Sequence, residues 1–222
     1  MNIEMTMILS GFLFWLIIIT NVASERFGYI TINELEPDAK LQKISDNPNK
    51  FKISVVLILM EHVSIIALAA MLFIAFSPYN IFLAVVWTVF RIAESLIQIY
   101  HKRDYWGLLN IAKQYPGTSG AEKNALIDSG RIILKTKSSS FTFAQILFSV
   151  GTLAYSILFV AYGVVPVIIG WFGIVASVLY GLGNWITPVK PNFKFLFYPG
   201  ALLILLFEIV LGGWLIFVHT IP

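Results

Sequence analysis

Long apolar runs separated by short polar intervals dominate the chain, and six of them reach the roughly 20 residues needed to cross a bilayer. They extend from about Met5 to Val22, Ile53 to Phe76, Asn80 to Tyr100, Ser140 to Tyr162, Val164 to Ile186 and Phe195 to Val218. The intervals Ser77-Pro78-Tyr79-Asn80 and Tyr162-Gly163-Val164-Val165-Pro166 are short enough to force antiparallel hairpins between spans two and three and spans four and five. Pro78 and Pro166 fall at turn or first-turn positions, where a missing N–H is harmless. The pattern predicts an all-α polytopic transmembrane helix bundle of six spans in a single domain over residues 1–222. The first run lacks a basic leader and a small-residue cleavage pattern, so it reads as a retained helix.

The two long connections, after spans one and three, lie on the same side of the membrane and are expected to carry short interfacial helices. In the first, Pro37 is placed as an N1 residue, Leu41 and Ile44 share a face, and Asn47-Pro48 stops the helix. In the second, Tyr105, Trp106, Leu108, Leu109 and Ile111 form an interfacial stretch that Pro116-Gly117 breaks. Ser119 and Glu122 then have capping-box spacing for a helix through Ala125, Leu126 and Ile133 toward the fourth span.

Composition agrees with the lipid bilayer as the main partner: 58% of residues are hydrophobic and only 12% charged, against about 25% charged in soluble domains. The net charge of +3 resides in loops, so no nucleic-acid partner is implied. The absence of cysteine removes disulfides, thiolate metal sites and cysteine nucleophiles. His62, His101 and His219 lie on different segments, so neither a metal site nor a haem or other cofactor is expected. From Arg26 and Lys40 through Lys190 and Lys194, every Lys and Arg outside the spans lies on the long-loop side. The positive-inside rule then puts those loops in the cytoplasm of a cell membrane and both ends of the chain outside.

Charges inside the spans carry the functional question, because each is costly in lipid and marks a partner or a polar cavity. Counted at 1.5 Å per residue, Glu61 and Arg91 lie level, about 14 Å in from the long-loop face, and an ion pair between them is expected. Glu94, three residues beyond Arg91, shares its helical face, and Gln98 extends that face by a turn. Glu208 lies about 20 Å deep and reaches Arg91 if the sixth span packs on the third. One arginine against three carboxylates leaves an acid excess, so at least one carboxyl is expected to be protonated or to hold a cation. His62 points about 100° from Glu61 and is expected to bond a neighbouring helix, with a proton relay as the alternative. Gln145 and Asn184 read as interhelical hydrogen-bonding groups.

Gly170, Gly173, Ser177 and Gly181 form a small-residue row on the fifth span, suited to close packing within the chain or, alternatively, to a homo-oligomer seam. Gly212-Gly213 is the candidate groove facing it. Trp106, Trp171, Trp185, Tyr100 and Tyr198 have the placement of interfacial aromatics. No nucleophile motif, phosphate loop or metal box is present, which disfavours an enzyme. Two functions remain: a non-enzymatic membrane protein, in the manner of an accessory subunit with a membrane-protein partner, or a small proton- or cation-coupled transporter or receptor.

Several segments in order resemble the domain-of-unknown-function family 4386. They are Asp38-Ala39-Lys40 through Asn47-Pro48, Phe90-Arg91-Ile92-Ala93-Glu94, Val165-Pro166-Val167-Ile168-Ile169-Gly170, and Glu208 six residues before Trp214-Leu215. The resemblance implies a six-helix integral membrane protein without an assigned activity and singles out Arg91, Glu94 and Glu208. Members of that family carry basic residues near the N-terminus and around the proline between spans four and five, which favours termini inside. Here Met1-Asn2-Ile3-Glu4 and Gly163-Val164-Val165-Pro166 have no positive charge.

Overall fold

Asparagine and proline punctuate the helices at the positions the sequence marks. The computed structural model describes residues 2–27, 36–186 and 194–218, with the side chains of 136–139 and 194–195 left aside. Lys190 and His219 lie outside the described residues, as do the side chains of Lys137 and Lys194. Helix α1 spans Ile3–Arg26, α2 Pro37–Asp46, α3 Pro48–Phe76, α4 Ile81–Gln114, α5 Gly120–Tyr162, α6 Val167–Ile186 and α7 Lys194–Phe217. Six of the seven are long and apolar enough to cross a membrane, so the chain is a membrane-embedded, all-α polytopic bundle.

Asn47 ends α2 and at once starts α3: its side chain accepts a hydrogen bond from the Lys50 amide at 3.1 Å, and Pro48 follows at N1. Asn80 caps α4 in the same way, accepting from the Leu83 amide at 3.0 Å. Ser119 begins α5 without the side-chain bond that its spacing to Glu122 predicts. Hydroxyls along α1 are satisfied on their own helix, as Ser10 donates to the Thr6 carbonyl at 2.7 Å and Thr20 to the Leu16 carbonyl at 2.8 Å.

The second long connection differs from expectation. Its interfacial stretch is the direct continuation of the third span, because nothing between Tyr100 and Gln114 breaks a helix. At about 1.5 Å per residue, the 34 residues of α4 run roughly 51 Å and the 43 of α5 roughly 64 Å. Both outreach a hydrocarbon core of about 30 Å. Only the five residues Tyr115–Ser119 separate them, with Gly117 at φ +88°, a backbone region that side-chain-bearing residues avoid.

The six spanning helices form a closed ring. Helix α1 packs on α3 and α7, and the sequence α3, α4, α5, α6, α7 completes the circuit with no backbone contact across its middle among the described residues. Neighbours alternate in direction throughout. In the half that holds the α3–α4 and α5–α6 turns, the ring interior is filled with apolar and aromatic side chains from every spanning helix. Phe14, Leu72, Trp87, Tyr155, Phe172 and Phe207 represent α1, α3, α4, α5, α6 and α7 in turn. Tyr155 stacks on Phe207 with ring centroids 5.9 Å apart and meets Trp87 edge-on at 5.5 Å.

A second core lies at the long-loop end, where Leu41 and Ile44 of α2 pack with Phe51, Val55, Tyr105, Leu108 and Leu109. Lys123 ties α5 to this layer through Asp38 at 3.6 Å. Lys40, also in α2, is nearly buried, and desolvation holds its ammonium below the usual lysine range against the opposing field of Glu36. The outer surface of the ring is apolar, with Phe82, Ile168 and Phe217 each more than 70% exposed, as suits contact with lipid. Tyr100, Trp106, Trp171, Trp185 and Tyr198 are all exposed there.

Candidate functional site

Residues at helical spacing on each spanning helix turn inward and line a cavity of about 410 Å³ in the long-loop half of the ring. Helix α4 supplies Arg91, Glu94, Gln98 and Lys102, at intervals of three, four and four that keep them on one face. Helix α3 supplies Glu61 and His62, α1 Asn21 and Glu25, α5 Gln145 and Phe148, α6 Tyr180, and α7 Glu208. The space extends from Glu25, at the long-loop end of α1, and Lys102, about three turns before the end of α4, inward to Arg91 and Glu208.

Arg91 is the most tightly held of these groups. Its Nη1 donates to Glu94 Oε2 at 2.6 Å, and its guanidinium lies 4.4 Å from the centroid of the Phe148 ring. A Cβ at Gly151 would sit 3.1 Å from Arg91 Cγ and 3.3 Å from Cδ, so the glycine lets the arginine stem lie against α5. Glu61 Oε2 accepts from Asn21 Nδ2 at 3.1 Å. The Tyr180 hydroxyl donates to Gln145 Oε1 at 2.9 Å, and Lys102 Nζ donates to Gln98 Oε1 at 3.4 Å.

Two groups stand apart. Glu208 is 8% exposed, and its carboxylate has no hydrogen bond or ion pair among the described residues, although its charge is felt by Glu61 and Glu94. His62 is 6% exposed, and neither ring nitrogen has a partner among the described residues. Leaving buried polar groups unpaired costs about 1–3 kcal/mol each, and such groups in native proteins call for a specific explanation.

The structure therefore gathers Glu61, His62, Arg91, Glu94, Gln98 and Glu208 around one space but pairs them differently from expectation. Arg91 bonds Glu94 rather than Glu61, whose carboxylate is taken by Asn21 of α1. Helix α7 packs on α6 and α1, not on α4, so Glu208 faces Arg91 from across the ring without bonding it. His62 does not bond a neighbouring helix. Its angular separation from Glu61 does not remove it from the cavity, because a helix in a ring shows a wide arc to the interior. Asn184 donates to the Tyr180 carbonyl of its own helix at 2.9 Å, so only Gln145 bridges helices as expected.

Lys102, Asn21, Glu25, Phe148 and Tyr180 were not among the sequence candidates. Lys102 is four residues beyond Gln98, and that continued spacing was the signal; counting it with the basic loop residues concealed it.

The small-residue row of α6 faces α5. A Cβ at Gly170 would lie 2.7 Å from Val160 Cγ2, one at Gly173 would collide with Ser156 Oγ, and one at Gly181 would lie 3.0 Å from Ser149 Cβ. Ser177, also buried, donates to the Gly173 carbonyl at 2.6 Å. Gly212 and Gly213 do not supply the facing groove: they meet Trp15 of α1.

Formally, four glutamates (Glu25, Glu61, Glu94 and Glu208) and two bases (Arg91 and Lys102) line the space. No group of His, Asp or Glu among the described residues is arranged to hold a metal ion. With Arg91 neutralised by Glu94, the arrangement is suited to accepting positive charge, as a proton or as an organic cation.

A family model described as a domain of unknown function, DUF4386, matches residues 9–218. Neither the curated proteins nor the solved structures contain a match.

Proposed function

The chain belongs to the DUF4386 family, and from the contents of its helix ring we propose that it is a non-enzymatic membrane receptor or small transporter that takes a proton or cation onto Glu208 and Glu61. The observation that carries this reading is the unpaired, nearly buried Glu208 carboxylate at the inner end of a cavity lined by all six spanning helices. An intramembrane carboxylate with no partner is an expensive way to fix helix packing and a direct way to hold a titratable charge. An accessory subunit is the alternative, and it calls for a dry and fully paired cluster; the unpartnered Glu208 and His62 support it less. The confinement of basic residues to the long-loop side supports a cell-membrane protein with the cavity facing the cytoplasm.

The test is the infrared difference spectrum of the membrane-reconstituted protein between acidic and alkaline pH, compared with that of Glu208→Gln. The protonated-carboxyl band that titrates in the wild type is expected to lose one component in the variant, with the thermal unfolding midpoint unchanged. Identical spectra in the two proteins, or a variant that no longer folds, would overturn the reading in favour of a structural role.

A further inference from the structure

The cavity is not walled evenly. Helices α1 and α7 form the one join of the ring that no chain connection ties, since α1 is the first spanning helix and α7 the last. They approach closely in the half that holds the hairpin turns, where a Cβ at Gly212 would lie 2.9 Å from Trp15 Cδ1 and 3.1 Å from Phe14 Cβ. Trp15 Nε1 donates to the Ile209 carbonyl at 3.3 Å there. Toward the long-loop face the cavity is lined from both helices, by Ile18 and Val22 on one side and Ala201 and Leu205 on the other. Val22 is 45% exposed and Leu205 37%, so residues that line the cavity also belong to the lipid-facing surface. At the seam between α1 and α7, therefore, both helices carry side chains that line the cavity and are also exposed.

The contents describe what would enter. A volume of about 410 Å³ lies in the range of organic-ligand pockets, about 300–1,000 Å³, and is far larger than a proton or a bare ion needs. Much of the lining is apolar, including Ile17, Ile58, Ile65, Phe141 and Ile204. The formal charge left over is negative, because Arg91 is bonded to Glu94 and covered by Phe148, and Glu25, Glu61 and Glu208 outnumber Lys102 among the other lining residues. We infer that the ligand is an amphipathic amine, a monovalent organic cation on an apolar body, which enters from the lipid between α1 and α7 and places its charged nitrogen against Glu208. This rests on the reading of Glu208 as a cation-accepting group and adds the class of ligand and its route.

Radiolabelled dodecylammonium, measured on the protein in nanodiscs against protein-free nanodiscs, tests it. Affinity is expected to fall about four-fold for each CH₂ removed from the chain and at least about ten-fold in Glu208→Gln. The chain contains no cysteine, so a Val22→Cys, Leu205→Cys pair can be joined by a bis-maleimide without side reactions. Joining it is expected to slow binding about ten-fold while leaving both carboxylates intact. Equal binding of tetramethylammonium would overturn the amphipathic ligand, and equal binding of dodecyl sulfate the cationic one. An unchanged rate after cross-linking would overturn entry through the seam. If the Glu208 carboxyl band titrates but no amine binds, this inference fails and the proton-accepting reading stands; if the band does not titrate either, both fail.

Discussion

Around Phe14, Tyr155 and Phe207 the ring interior is closed by interlocking rings from all six spanning helices, whereas farther toward the long loops the same helices enclose a cavity of about 410 Å³. In the closed half, stability comes from contact: large side chains fill the space, and small residues such as Gly173 and Gly212 let backbones come near. The cavity half contains one strong pair, Arg91 with Glu94, one bridged carboxylate, Glu61, and two carboxylates with no partner among the described residues, the nearly buried Glu208 and the half-buried Glu25. Lipid offers little hydrophobic drive for helix association, so packing in the closed half holds the ring together. The cavity half is thereby free to keep carboxylates whose pairing is incomplete, whereas the buried groups without a partner in the closed half, such as Trp87 Nε1 and Ser156 Oγ among the described residues, are neutral.

Four single substitutions and one double variant would break or sharpen this contrast. The largest effect is expected at the one strong pair: Arg91→Met leaves Glu94 buried without its counter-charge and should cost about 3–5 kcal/mol in detergent unfolding titrations. Adding Glu94→Gln should recover much of the loss, and a double variant as unstable as the single would show that packing against Phe148 and Gly151, not charge, is what Arg91 supplies. Next comes the closed half, where Phe207→Ala should cost about 3 kcal/mol by leaving a void among Tyr155, Phe159 and Phe172, read from the same titrations.

Tyr180→Phe removes the hydroxyl that Gln145 accepts and should cost about 1 kcal/mol, visible as a small drop in the thermal midpoint. Smallest of all should be the loss in Glu208→Gln, which breaks no bond and removes an unpartnered buried charge, so the detergent titrations should show no destabilisation. A large destabilisation there would erase the distinction between the two halves.

Much of the architecture was legible because it follows from one-dimensional signals. Asn47-Pro48 and Asn80 mark helix boundaries through capping and a missing N–H, and the two four- to five-residue turns force hairpins whatever surrounds them. The joining of the interfacial stretch at Tyr105 to the third span was missed because polar residues such as Lys102 and Asp104 mark the end of a membrane segment without ending a helix.

At the site, depth along the axis was readable and rotation about it was not. Glu61 and Arg91 are level in the count, yet which of Asn21 or Arg91 meets Glu61 depends on how α1, α3 and α4 are turned and in what order they circle. The position of Glu208 across an open middle depends on ring closure by α1 and α7, a long-range property with no local sequence mark.

The unbroken course of α4 from Arg91 past Lys102 to Leu109 has a mechanical meaning. An α-helix is a stiff strut, and moving one end of it relative to the other requires breaking backbone hydrogen bonds or bending over many turns. Anything that presses on α2 therefore pushes, through Leu41 and Ile44, on the rod that carries Arg91, Glu94, Gln98 and Lys102, and the layer of side chains outside the spans becomes a handle on the charges within them.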